Sequence, residues 1–228
     1  WGKKSLRIRG TKNSAVKDAA WALLPPVACT PDIDVTGDKA TITNGKLTAS
    51  FNKYGWLTYS NQKGEVLLEE RWRVNDGGSK TSPLAIPGRE YKPIIGSSDF
   101  KLTLRFEGCD DEKLFGLGQR QEKQLNIKGC MLELAQRNTQ SSIPFVISSR
   151  GYGMLWNNPA IGRVTFANNV TEWTAECSDQ MDLWITAGDS PAEIEEAYAD
   201  ATGKVPMMPE YASGFWQCRL RYSTQEEL

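Results

Sequence analysis

The stretch Tyr211 to Leu228, YASGFWQCRLRYSTQEEL, decides how the rest of the chain is read. Trp216, Cys218, Leu220 and Tyr222 alternate with Gln217, Arg219 and Arg221, and Phe215 precedes them. Period-2 alternation predicts a mostly buried strand whose two faces differ. Ser223 then stands as an N-cap, with Glu226 three residues on completing a capping box. A strand feeding a helix at this point is the opening unit of a β/α domain whose remaining strands lie outside residues 1–228. The expectation is therefore a complete N-terminal β domain followed by the first strand of a second domain.

The chain preceding this stretch reads as strands. Leu6 and Ile8 alternate with Arg7 and Arg9 in SLRIRGT, a half-exposed strand, and Pro25, Pro26 and Pro31 mark a connector. Short strands are predicted over 40–43, 46–51, 56–60 and 65–72, with Asn44-Gly45 as a hairpin signal. Residues 75–98, rich in Gly, Pro, Ser and Thr, predict a long loop. Strands follow over 100–107, 114–119, 131–136, 144–149, 153–157, 161–167, 170–177 and 180–186. So many short strands before any helix indicate a large antiparallel β-sandwich. One helix is expected late: Ser190-Pro191-Ala192-Glu193 forms a capping box with Pro at the first turn. Ile194, Ala197, Tyr198 and Ala201 give an apolar stripe, and Gly203 ends it. The division is 1–203 for the sandwich, 204–210 (KVPMMPE) for a linker, and 211–228 for the start of the second domain.

Composition narrows the function. With 27 basic and 28 acidic residues the net charge is −1, which suits neither nucleic acid nor an anionic membrane surface. No apolar run reaches the roughly 18 to 20 residues of a membrane span. No signal peptide is visible, and the chain starts with Trp1 rather than Met. Histidine is absent, so Ser-His-Asp and Cys-His nucleophile pairs and histidine metal sites are excluded within these residues. Cys29, Cys109, Cys130, Cys177 and Cys218 form no CxxC, and zinc is not expected. They read as reduced, mostly buried thiols in a reducing, cytoplasmic setting, with a disulfide left open. No cofactor is expected.

The carboxylate pairs Glu69-Glu70, Asp110-Asp111, Glu195-Glu196 and Glu226-Glu227 are sequence neighbours. General acid/base pairs usually converge from separate elements, so all four read as solvated charge, with Glu112 part of the same solvated turn. Phe115-Gly116-Leu117-Gly118 lacks the residues of a phosphate loop and reads as a tight strand crossing. Trp173 and Trp184 read as core, whereas Trp156 suits either core packing or sugar stacking.

Three blocks carry a family resemblance: FGLGQ at 115–119, IPFVISSRGYGMLWNNPAIGR at 143–163, and TGKVPMMPEYASGFWQCRLRYSTQEEL at 202–228. With WGKKSLRIRGT at the start and WALL at 21–24, they resemble glycoside hydrolase family 31, which includes α-glucosidases and α-xylosidases. The resemblance implies a galactose mutarotase-like supersandwich followed by a (β/α)8 barrel. It implies a retaining mechanism with an Asp nucleophile and an Asp acid/base, both on later barrel strands. No catalytic residue is therefore assigned here, and residues 1–228 alone are expected to be inactive.

What the resemblance leaves to this chain is the pocket edge. Barrel substrates meet the C-terminal ends of the strands, so Arg219, Arg221 and Tyr222 are expected to touch sugar or aglycone. A structural ion pair is the competing reading for Arg219 and Arg221. A family loop over the pocket matches Gln136-Arg137-Asn138-Thr139. Asn138 stands near a position where many members carry Asp, and it offers an uncharged amide. Arg137 and Asn138 complete the substrate-binding candidates, with an ordinary turn as the competing reading of the loop. The expected partners are a carbohydrate substrate and the barrel of the same protein, with a homo-oligomer possible in principle. The alternative is a free-standing carbohydrate-binding sandwich. An aldose epimerase of related fold is excluded by the missing histidines.

Overall fold

The computed structural model describes residues 1–12, 15–73 and 85–227. In chain order the strands are β1 (Ser5–Thr11), β2 (Asp32–Thr36), β3 (Lys39–Asn44), β4 (Leu47–Phe51), β5 (Leu57–Ser60), β6 (Val66–Glu69), β7 (Arg89–Pro93), β8 (Phe100–Glu107), β9 (Leu114–Gln119), β10 (Met131–Leu134), β11 (Ser141–Ser148), β12 (Tyr152–Trp156), β13 (Gly162–Phe166), β14 (Val170–Ser178) and β15 (Gln180–Ala187), followed by helix α1 (Pro191–Thr202). They form three antiparallel sheets, ordered β1-β15-β12-β11-β9, β10-β13-β14-β8-β7 and β2-β3-β4-β5-β6. An isolated antiparallel bridge, Glu70 to Phe106, joins the third sheet to the second. The mainly-β antiparallel class expected from the alternating pattern is the observed one.

One apolar core draws on all three sheets, from Met154 and Leu183 through Leu104 and Trp173 to Ala49 and Tyr59. A second cluster lies on the opposite face of the first sheet. There Phe145, Leu155 and Trp184 receive Ile194, Ala197 and Ala201 of α1. Phe145 stacks on Tyr198 with ring centroids 3.9 Å apart. This double coverage explains why every residue of β15 is buried. Trp156 joins Trp173 in the main core, which settles its reading as packing.

Helix α1 begins where expected. Ser190 Oγ accepts from Glu193 N at 3.3 Å. The Glu193 carboxylate reaches one residue further back than a capping box requires and accepts from Asp189 N at 3.0 Å.

Several expectations are corrected. β7 is a strand in the segment read as loop, and β2 is a strand in residues that the sequence reading left unassigned. Both are edge strands, where exposure and a terminal Pro93 are tolerated. Residues 75–84 of the expected loop lie outside the described residues. Glu70 and Glu112 are buried, because non-local partners satisfy them: Arg89 and Leu57 N for the first, Ser148 and Tyr152 for the second. The five cysteines are free, but Cys29, Cys177 and Cys218 are exposed and Cys109 and Cys130 only half-buried, with Cys130 packed at the edge of the main core.

The expected strand over 215–222 is absent. A 3-10 turn spans Glu210–Ser213, another spans Gln225–Glu227, and no strand forms between them. Phe215, Trp216 and Leu220 are exposed. A strand is stabilised by cross-strand partners, and no described strand lies beside this one to pair with it. Ser223 likewise caps no α-helix; its backbone N–H donates to Glu227 Oε2 at 3.0 Å.

Candidate functional site

The connection between β10 and β11, which lie in different sheets, carries two of the sequence-derived candidates and folds into a minimal hairpin closed by an Arg137–Gln140 bridge. Gln140 N donates to Arg137 O at 3.1 Å and closes a four-residue turn. Thr139 takes a left-handed φ of 70° to allow it. Asn138 sits at the exposed tip. The Gln136 amide grips both backbone groups of Ser142, donating to its carbonyl at 2.7 Å and accepting from its N–H at 3.0 Å. Gln121 Nε2 donates to Thr139 Oγ1 at 2.5 Å. Arg120 donates to Glu133 O at 2.5 Å and to Ser142 Oγ at 3.4 Å.

Arg137 forms a two-point pair with Glu133, at 2.7 and 3.0 Å. This contact holds the Glu133 carboxyl below, and the Arg137 guanidinium above, their ordinary ranges. Arg137 also lines a cleft of about 440 Å³, together with Gln136, Pro144 and the Asn158–Ile161 loop. Close backbone approach underlies the crossing beneath this hairpin. A Cβ at Gly116 would meet Phe145 O at 2.6 Å, and one at Gly118 would meet Ser141 O at 2.1 Å. The FGLG glycines therefore serve a tight strand crossing, as the sequence indicated.

The structure brings Arg137 and Asn138 together and keeps Arg219, Arg221 and Tyr222 in the extended tail. Arg219 pairs with Glu227 at 3.3 Å, and the Tyr222 hydroxyl accepts from Gln217 at 3.4 Å. Arg221 is exposed and has no ionic or hydrogen-bond partner among the described residues. No hydrogen bond or ion pair among the described residues links the tail candidates to the hairpin. Gln121 and Arg120 were missed by sequence reasoning, and Gln136, though within the named loop, was given no role. Amide contacts six or eighteen residues apart leave no periodic trace.

Among the described residues no group of three or more Cys, Asp or Glu is placed to hold a metal ion. None of their helices is long and apolar enough to cross a membrane.

A multi-sheet antiparallel sandwich with a pinned hairpin over a cleft is the class of domain this geometry defines. The chain belongs to glycoside hydrolase family 31, because residues 2–164 match that family's N-terminal galactose mutarotase-like domain. An uncharacterised family 31 glucosidase of Pseudescherichia vulneris is 50% identical over 100% of this chain and 45% of its own length. An alpha-xylosidase of Saccharolobus solfataricus is 33% identical over 87% of this chain and 27% of its own length. The crystal structure of a family 31 alpha-xylosidase from a soil metagenome, complexed with xylose, matches with a TM-score of 0.93. It is 53% identical and is covered over 35% of its length by 100% of this chain. The chain thus spans less than half the length of these relatives.

Proposed function

We propose that residues 1–228 are the N-terminal part of a retaining α-glycosidase that hydrolyses α-linked xylosides or glucosides. The observation that carries this reading is the 53% identity, over the whole chain, to an alpha-xylosidase complexed with xylose. Its sandwich contributes the Arg137–Asn138 hairpin to the edge of the sugar pocket. The nucleophile and acid/base, two aspartates flanking the glycosidic bond at about 5–5.5 Å as retention requires, belong to a following barrel. Residues 1–203 form the sandwich, 204–210 a linker, and 211–228 the barrel's opening segment. The exposed apolar side chains Met207, Tyr211, Phe215, Trp216 and Leu220 support this division. A barrel would cover them and supply the strand partners that 215–222 lacks. A free-standing binding module would leave that surface in water, at a cost of roughly 25 cal/mol per Å² of apolar area relative to burial.

The test compares the full-length protein with residues 1–228 on aryl α-xyloside and aryl α-glucoside. The full-length protein is expected to release the α-anomer first, seen by NMR, and the 1–228 piece to release nothing. Turnover by the purified piece would overturn the placement of the catalytic acids, and no turnover of either substrate by the full-length protein would overturn the substrate class.

A further inference from the structure

We infer that Gln136 is a positioning residue for substrate, acting through Asn138; this rests on the pocket-edge reading above. Three observations support it. First, the Gln136 amide satisfies both polar backbone groups of Ser142, at 2.7 and 3.0 Å, closing the base of the hairpin with two hydrogen bonds. Second, each neighbour of Asn138 is fixed independently. Arg137 is held by Glu133 and by the turn bond from Gln140, and Thr139 by Gln121. Third, the Asn138 side chain is exposed and forms no hydrogen bond among the described residues.

A carboxamide has a donor and an acceptor, and here neither has a partner among the described residues. A turn whose every other member is tied, with one untied amide at its tip, is pre-organised for an outside ligand that offers hydroxyls. Gln136 spans the two strands where they leave the sheets, between Leu134 of β10 and Ser142 of β11, and sets the angle at which the tip projects. Arg137 is held by Glu133 instead, so the contribution of Gln136 should reach the sugar through Asn138.

The experiment is a double-mutant cycle in the full-length enzyme, with Gln136→Ala and Asn138→Ala, separately and together, on an aryl α-xyloside. Gln136→Ala is expected to raise KM about fivefold with kcat within about twofold, the scale of one or two modest hydrogen bonds. In the Asn138→Ala background the same change should cost nothing further. Gln136→Glu keeps the acceptor for Ser142 N and loses the donor, so it should fall between wild type and Gln136→Ala. Additive losses, or a Gln136→Ala enzyme with unchanged KM beside an impaired Asn138→Ala, would overturn the positioning role alone. A silent Asn138→Ala would overturn both this inference and the pocket-edge reading. Thermal melts of each variant identify unfolding, and a Gln136→Ala protein that does not fold is replaced by Gln136→Glu, whose intermediate KM must vanish in the Asn138→Ala background.

Discussion

Arg7 and Asp182 meet inside the protein as a two-point ion pair, with Arg7 Nε 3.0 Å from Asp182 Oδ1 and Nη2 2.5 Å from Oδ2. Their side chains are only 3% and 2% exposed. Alternation in SLRIRGT predicts Arg7 on a half-exposed face, but a strap over that face hides it. Arg7 donates to Ala19 O, and the Asn157 amide clasps Ala20 O and Ala22 N at 3.2 and 3.3 Å. Removing one partner of a buried pair leaves the other charged and uncompensated. Asp182→Ala is therefore expected to cost about 3–5 kcal/mol in urea unfolding. The double variant Arg7→Met, Asp182→Leu should recover most of that loss. A double variant no better than Asp182→Ala would show that the pair's worth lies in the strap contacts.

Glu70 sets a pH dependence. Burial raises its pKa above the ordinary 4.5, and this outweighs the opposing pull of Arg89 and the Leu57 N–H. Folding then favours the protonated form. The stability from this site is full below the unfolded pKa and is lost as pH rises through the folded one. Glu70→Gln removes the titration. The wild-type Tm minus the variant Tm should therefore decrease between about pH 4 and about pH 7. A difference that grows with pH would mean that Arg89 dominates and that the carboxylate is stabilised on folding.

Gly118 separates two costs of adding a Cβ. Its φ is +83°, and a Cβ there would meet Ser141 O at 2.1 Å. Gly37 has a φ of +58° with nothing within 4 Å. Each substitution to Ala carries the left-handed penalty of about 1–2 kcal/mol. Only Gly118→Ala also forces apart β9 and β11. Its denaturant midpoint should fall clearly further than that of Gly37→Ala. Equal shifts would show that the crossing can relax without cost.

These sites also show where sequence is readable. Strands such as β8 and β14 declare themselves by alternation because one face meets a core and the other does not. Helix α1 declares itself by Ser190 and its apolar stripe. The Gly116 and Gly118 crossing was visible because only glycine suits it. Arg7, Glu70 and Glu112 misled because their burial depends on partners far along the chain, and a charge reads as solvated until its counterpart is seen. The stretch 215–222 misled differently. Its alternation is genuine, but a strand needs neighbours, and the described residues supply none. Of the candidate site, the loop holding Arg137 and Asn138 is named through family resemblance alone, and its Gln136 clasp on Ser142 leaves no mark in the sequence.

Arg221 gives the last test. Of the two tail arginines, Arg219 is engaged with Glu227, whereas Arg221 is exposed without a partner among the described residues. A guanidinium offers five donors in a planar fork, which suits sugar hydroxyls or barrel carboxylates equally well. The two roles differ in what a truncation disturbs. A structural ion pair with barrel acids would lower the full-length enzyme's Tm and leave kcat/KM near wild type. A sugar contact would do the reverse. The pocket-edge reading expects Arg221→Ala to lower kcat/KM about tenfold, or roughly 1.4 kcal/mol of transition-state binding, with the melt unchanged. Arg221→Lys, which keeps the charge but loses the fork, should recover only part of it. An Arg221→Ala enzyme with unchanged kcat/KM on several α-linked substrates would remove this residue from the site.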